Sequence, residues 1–291
     1  MDICCLCRQR AILGESPVWS AVENAVYWID IPGKKLHRTE PDTGRTRSWE
    51  LPRLPGMIAL RRRGGLVVAL EDGLYGFDPG SGRFDPLVGL EADRPENRPN
   101  DGKCDAAGRL WVGTMNITDG SRPTGSLFRI DPDLTVTKID SGLRVPNGLA
   151  WSPANDVMVH TDTRANVVWS YAFDAISGER SAKREFFRFD RDRSGGVDGA
   201  AMDAEGGYWT VLFGGGKLIR VTPDGRRDRE ISLPVSQPTM PAFGGADMRT
   251  IFITSAARNL DDEALKAQPC AGGLLALSVD VSGHEVYSFG G

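Results

Sequence analysis

Four residues of this 291-residue chain carry side-chain oxygens at matching places in the sequence: Glu15, Asn100, Asn147 and Asp198. Each opens a short strand-like run, "ESPVW", "NDGKC", "NGLAW" and "DGAAM". Taken singly, Asn147-Gly148 or Asp198-Gly199 reads as a turn, because Asn, Asp and Gly favour turn conformations. Brought to one place, two carboxylates and two amides would repel or stay unsatisfied unless something positive stood between them. A divalent cation meets that need. Hard cations take carboxylate and amide oxygens with water completing the shell, and two acids balance the charge. Ca²⁺ is the expected ion, with Mn²⁺, Fe²⁺ or Zn²⁺ as alternatives. No histidine joins the set, since His37, His160 and His284 are scattered along the chain.

These residues meet only if the chain brings them round a common axis, and a repeat says that it does. "NDGKCDAAGRLWVGTM" from Asn100 aligns without a gap on "DGAAMDAEGGYWTVLF" from Asp198, pairing Asp105 with Asp203, Gly108 with Gly206 and Trp111 with Trp209. The same ruler fits from Glu15 and Asn147, and more weakly from Gly56 and Ala242, so the copies begin 41 to 51 residues apart. Each reads as a short strand, a turn and an apolar strand such as Leu66–Leu70 or Tyr208–Leu212. A third strand follows, as in Gly125–Ile130 or Lys217–Val221, then an Asp/Pro/Gly turn and a fourth strand. Four antiparallel strands in some 45 residues, about six times over, is the pattern of propeller blades. The expected fold is all-β, a six-bladed β-propeller spanning 1–291 as one domain, with ring closure near the termini. Only Asp261–Ala267 offers a helical turn.

In a propeller the first strand of each blade lines the central channel. The six repeat starts, Glu15, Gly56, Asn100, Asn147, Asp198 and Ala242, then form a ring at one end of it. Asn100-Asp101-Gly102 and the turn at Asp105–Arg109 leave only Lys103 and Cys104 for a strand between them. Asp101 and Asp203 read as turn stabilisers, and Asp30 and Asp162, closing two second strands, as structural or supporting groups. Gly120, Pro123 and Gly125 mark residues 114–124 as a lid over the channel mouth.

Composition limits the partners. The chain is 40% hydrophobic and 25% charged with net charge −4, an ordinary globular balance. Arg61-Arg62-Arg63 runs into Gly64-Gly65 and reads as a solvated hairpin, so no basic patch supports nucleic-acid binding. No stretch approaches the ~18 apolar residues of a membrane span, and six apolar residues at the start are too few for a signal peptide. Cys4, Cys5 and Cys7 form no paired zinc motif with the lone Cys104 and Cys270, and reduced thiols in a cytoplasmic protein are expected. A monomer or weak homodimer is the expected state.

The motifs "GESPVW", "NRPNDGKCDAAGRLWVGTM", "VPNGLAWS", "DGAAMDAEGGYWT", "FGGADMRTIFITSA" and "QPCAGGLLAL" together resemble the senescence marker protein (regucalcin), gluconolactonase and luciferin-regenerating enzyme family. The likeness runs from about Ile12 to Leu277 and is nearest to bacterial sugar-lactonases. It implies a six-bladed propeller with one catalytic divalent metal near the top of the axis, and hydrolysis of an aldonolactone, of gluconolactone or pentonolactone type, to its acid. It carries the metal ligands onto Glu15, Asn147 and Asp198, and substrate contacts onto Arg98, Asn100 and Thr118. Some relatives place a substrate-contacting Glu after "GTM"; here Thr118 stands in its place, so sugar preference does not transfer. Asp198 is the candidate general base, because a carboxylate beside a cation stays ionised and can take a proton from water. A calcium-dependent phosphotriesterase and a non-catalytic calcium-binding propeller are the competing readings.

Overall fold

A computed structural model describes residues 2–190 and 195–291. Six sheets of four antiparallel strands follow one another round a central channel, as the repeat requires. The first blade is β2 (Gly14–Ser20), β3 (Ala25–Asp30), β4 (Lys35–Thr39) and β5 (Thr46–Glu50). The second holds β6 (Pro55–Leu60), β7 (Leu66–Leu70), β8 (Gly73–Asp78) and β9 (Arg83–Gly89). The third holds β10 (Asn97–Cys104), β11 (Leu110–Asn116), β12 (Gly125–Ile130) and β13 (Val136–Leu143). The fourth is β14 (Pro146–Trp151), β15 (Val157–Asp162), β16 (Val167–Phe173) and β17 (Arg180–Arg188). The fifth is β18 (Gly196–Met202), β19 (Tyr208–Phe213), β20 (Lys217–Val221) and β21 (Arg227–Ser232). The sixth joins the ends of the chain: β22 (Pro238–Gly244), β23 (Thr250–Ser255) and β24 (Leu274–Ser278) are completed by β1 (Ile3–Cys7). The one short helix, α1 (Asp262–Ala267), is capped by the Asp261 side chain on Ala264 N.

Sequence explains the layering of each blade. Second strands are runs of β-branched and aromatic residues buried on both faces, as in Ala25–Asp30 and Leu66–Leu70. Fourth strands are the outer edges and carry charge, as in Arg180–Arg188, which discourages pairing between molecules. The aligned Asp and Trp residues form a lock. Asp105 accepts Arg109 Nε and Trp111 Nε1 at 2.6 and 2.9 Å, and Asp203 accepts Arg220 Nε and Trp209 Nε1 at 2.6 and 2.8 Å. Asp203 also takes the turn amides of Glu205 and Gly207, the turn-stabilising role expected of it.

Two expectations are corrected. Asn100-Asp101-Gly102 is not a turn ahead of a two-residue strand: β10 runs through it from Asn97, with a β-bulge between Pro99 and Gly102. Ala242 is not at the channel's site end. It pairs with Phe252 deep in the hairpin, and the bulged position of the sixth blade is Thr239. Each of the six inner strands bulges at this height, with register breaks at Glu15/Val18, Pro55/Met57, Pro99/Gly102, Asn147/Ala150, Val197/Ala200 and Pro238/Met240. The five cysteines are free thiols, in keeping with the sequence reading.

Two histidines are folded into the blades and held neutral. Loss of solvation lowers His37 to about 4 and His160 to about 3 from an ordinary 6.5. The unfolded chain therefore takes up protons first, so stability is intact above pH 6.5 and falls as pH drops toward 4 and then 3. Each histidine contributes a slope of at most about 1.4 kcal/mol per pH unit in that window. Urea denaturation at pH 7.5, 6 and 5 should show this loss, and His160→Phe should flatten it.

Candidate active site

The bulges turn inner-strand side chains toward the axis. A bulge adds a residue to one strand, bends it and re-aims what it carries. Glu15 and Asn147 immediately precede the bulges of β2 and β14, while Asn100 and Asp198 lie within those of β10 and β18. Gly56 occupies the bulge of β6, and a Cβ there would stand 2.2 Å from Pro99 O in the next blade. That position is bare because the neighbouring strand fills its space.

Two acids fix the approach to this level. Asp30 accepts the amides of Ile12 and Leu13, just ahead of Glu15, at 3.0 and 3.1 Å. Asp162 does the same for Arg144 and Val145, ahead of Asn147, at 2.9 and 3.1 Å. Their supporting role is thus to hold the chain leading into each site residue.

Side-chain bonds then tie blades together round the channel. Asn100 Nδ2 donates to Pro146 O at 3.1 Å, linking the third blade to the fourth. Asn147 Nδ2 donates to Asp198 Oδ1 at 2.8 Å and to Thr163 Oγ1 at 3.1 Å, linking the fourth to the fifth. Both protons of the Asn147 amide are thereby used, and no donor among the described residues reaches its Oδ1 or Glu15 Oε1. Glu15 Oε2 accepts Ser16 N at 2.9 Å.

Electrostatics sharpen the picture. Glu15 and Asp198 lie deep in the molecule, though each keeps some surface open to the channel. Burial and the neighbouring Asp198 and Asp101 carboxylates hold Glu15 well above the usual range; burial and Asp101 push Asp198 up. These are acids with unspent oxygens and too little positive charge beside them. Arg98, itself buried, supplies some of it. Its Nη1 donates to Pro99 O at 2.7 Å and Asn100 Oδ1 at 3.2 Å, and burial lowers it to about 10, still cationic at neutral pH.

Sequence reasoning missed two participants. Asp101, read as a turn residue, is buried in the bulge and accepts Leu149 N from the next blade at 3.2 Å and Gly102 N at 2.8 Å. Lys103 crosses the channel to the Ala200 carbonyl, with burial lowering its pKa and Asp101 opposing that shift. The adjacency of Asp101 to Asn100 was the available signal, and it points inward only once the tripeptide is read as a bulge. Thr118, the residue standing where relatives have Glu, lies on the exposed loop after β11. Its hydroxyl and amide both donate to Asn116 Oδ1 at 3.1 Å, and the adjacent Ile117 N is pinned to Glu96 O. Ile117, not Thr118, lines the cavity that opens beside Arg98.

A cavity of about 490 Å³ opens beside Arg98, walled by loops from the first, second, third and sixth blades; Glu15, Asn147 and Asp198 do not line it. A smaller space of about 90 Å³ lies farther down the channel beside Lys103, covered by His284–Tyr287 of the C-terminal tail. Among the described residues no group of three His, Cys, Asp or Glu side chains is placed to hold a metal. The available set is two carboxylates with an amide oxygen as third donor, and that oxygen-only set suits a hard divalent cation.

Comparison with known proteins agrees with this fold. The family described as "SMP-30/Gluconolactonase/LRE-like region" matches residues 13–257. A 6-deoxy-6-sulfogluconolactonase of Pseudomonas putida is 38% identical, covering 99% of this chain and 98% of its own. Regucalcin of Xenopus laevis is 32% identical over 99% and 98% of the two chains. The crystal structure of a calcium-binding protein, regucalcin, from Agrobacterium tumefaciens superposes with a TM-score of 0.92 at 30% identity, covering 98% of this chain and 96% of that one. The chain belongs to the SMP-30/gluconolactonase/LRE-like family.

Proposed function

We propose that this protein is a metal-dependent sugar lactonase, opening an aldonolactone to its aldonic acid. The observation that supports the reading is the Asn147–Asp198 hydrogen bond in the channel, with Glu15 close enough to Asp198 for their charges to oppose one another and the buried cation of Arg98 near both acids. Those three residues would hold the ion, and Ca²⁺ fits the donor set best; the calcium-binding structural relative supports that choice. Once bound, a divalent cation polarises a carbonyl and offsets negative charge developing on its oxygen.

The remaining steps belong to the chain. Asn100 Oδ1 holds the Arg98 guanidinium in place, and Arg98 donates to a sugar hydroxyl or to the carboxylate that forms. Water attacks the lactone carbonyl carbon, and Asp198 takes the water's proton on the oxygen that Asn147 does not occupy. The ring C–O bond then breaks, and the departing ring oxygen recovers that proton as a hydroxyl. Burial and nearby acids raise the basicity of Asp198, and a base is most useful when its pKa approaches the working pH. Glu15 holds the ion and takes no part in proton transfer.

Acid release from glucono-δ-lactone, followed before and after exhaustive chelation, tests the reading. Activity should vanish with the metal and return when a single divalent ion, Ca²⁺ included, is restored. Full activity in protein shown to be metal-free would overturn it.

Two substitutions separate holding from proton transfer. Glu15→Gln and Asp198→Asn each remove one charge at nearly constant shape, so both should weaken ion affinity. Under saturating ion Glu15→Gln should recover substantially. Asp198→Asn should stay slow by about 10² to 10⁴, the usual worth of a general base. Equal recovery of the two would remove Asp198 from that role.

A further inference from the structure

Strand β1, which completes the sixth blade, carries Cys4, Cys5 and Cys7. Successive side chains of a strand face opposite sides. Cys4 therefore points outward and is exposed, while Ile3 and Cys5 pack against the apolar cluster between the fifth and sixth blades. A register break between Cys5 and Cys7 then turns Cys7 to the other face. There it is buried with Trp19 and Trp28 of the first blade, and its sulfur takes the Thr39 hydroxyl at 3.9 Å. Cys104 is buried in the third blade. Cys5 alone on its strand is thus left facing the seam where the chain ends meet.

Cys270 reaches the same cluster from the far end of the chain. It stands between α1 and β24 in two turns, closed by Ala271 N on Gln268 O at 3.0 Å and Gly273 N on Cys270 O at 2.9 Å. Ser255 of β23 donates to Cys270 O at 3.4 Å and to Gly273 O at 2.9 Å, which pins the turns to the sheet. They also lie hard against β1, since a Cβ on Gly273 would stand 2.4 Å from Cys7 O. That placement brings the Cys5 and Cys270 thiols into hydrogen-bond contact, each partly buried and still reachable from solvent. Cys5 also donates to Cys7 O at 3.5 Å. Burial, with Cys270 beside it, pushes Cys5 up to about 12, and the Arg8 side chain opposes that shift without reversing it. Cys5 keeps its proton at neutral pH, so Cys270 is the sulfur that meets an oxidant first.

We propose that Cys5 and Cys270 are a redox modification site, a dithiol that hydrogen peroxide converts into a reversible disulfide sealing the propeller ring. The Cys270 sulfur attacks a peroxide oxygen, the O–O bond breaks, and Cys270 becomes a sulfenic acid as water leaves. The Cys5 sulfur then attacks that of Cys270 and gives up its proton; the S–O bond breaks and a second water departs. The two sulfurs lose two electrons between them, and the peroxide takes up both. A dithiol reductant reverses the bond and becomes a disulfide itself. The location gives the bond its effect. Apart from packing, β1 is held in the ring by its hydrogen bonds to β24, and the disulfide adds a covalent tie at that closure. The turn carrying Cys270 also accepts Ala11 N on Gly272 O at 2.8 Å, next to the Ile12 and Leu13 amides that Asp30 fixes ahead of Glu15. Oxidation would therefore secure both the seam and the chain leading into the site.

The test treats the purified protein with a small excess of hydrogen peroxide, alkylates the remaining thiols and maps peptides by mass spectrometry, with and without dithiothreitol. The expected product is a peptide pair joined through Cys5 and Cys270, two hydrogens lighter than the free peptides and released by the reductant. The melting temperature should rise by roughly 5 °C or more, because a crosslink spanning nearly the whole chain restricts the unfolded state, and should fall back on reduction. Cys5→Ser and Cys270→Ser should each abolish the linked pair and the rise, while Cys4→Ser, on the exposed face, should keep both. If a variant folds poorly, the wild-type peptide map and melting shift suffice by themselves. Sulfinic or sulfonic acid without the linked pair overturns the inference, as does a bond from Cys270 to Cys4 or Cys7. A linked pair with no rise in melting temperature overturns it too. None of these outcomes depends on the lactonase reading.

Discussion

Two carboxylates held side by side in a desolvated channel repel each other, and the architecture around this site has to resist that repulsion. Left alone, strands carrying Glu15 and Asp198 would relax by turning the acids outward or keeping them protonated. Burial and neighbouring acid raise the proton affinity of both, so the folded chain on its own holds the pair under electrostatic tension. A fold can sustain such an arrangement only where the backbone is fixed by something stronger than the side chains themselves.

The propeller supplies that through closure. Each inner strand is hydrogen-bonded in a four-stranded sheet, and the sixth sheet is sealed by β1, so no blade can tilt away without opening the ring. The bulges then aim the side chains, and the ties Asn100–Pro146, Asn147–Asp198 and Asp101–Leu149 connect the third, fourth and fifth blades at the level of the charges. Asp30 and Asp162 fix the backbone one step upstream. Thus the acids that bind backbone amides position the acids with oxygens left over.

The repeat was legible because a blade is a local unit: hairpin turns and strand patterns lie within some tens of residues, and Asp105–Trp111 and Asp203–Trp209 mark the same lock twice. The failures share one cause. Asn-Asp-Gly suits a tight turn and a bulge equally, since both need unusual backbone angles, so the tripeptide at Asn100 did not reveal that β10 continues through it. In the sixth blade the ruler laid on "AFGGADMRT" landed on Ala242, inside the strand, and missed Thr239. Neither Asp101 nor Lys103 stood out, because a bulge shifts which residues face the axis.

Placing the acids on strands and the outermost residues on loops separates two demands that would conflict on one element. Charge repulsion at the inner level needs a backbone that does not move, and strands in a closed ring provide it. Recognition of a ligand's far end needs residues that can change without disturbing the inner geometry. Thr118 lies on an exposed loop of this kind, its side chain bonded only to Asn116 at the end of β11. A loop of this sort can exchange a charged residue for a neutral one at little structural cost. Residues at the mouth can therefore change while the inner donors stay in place, on loops that the propeller carries but does not depend on.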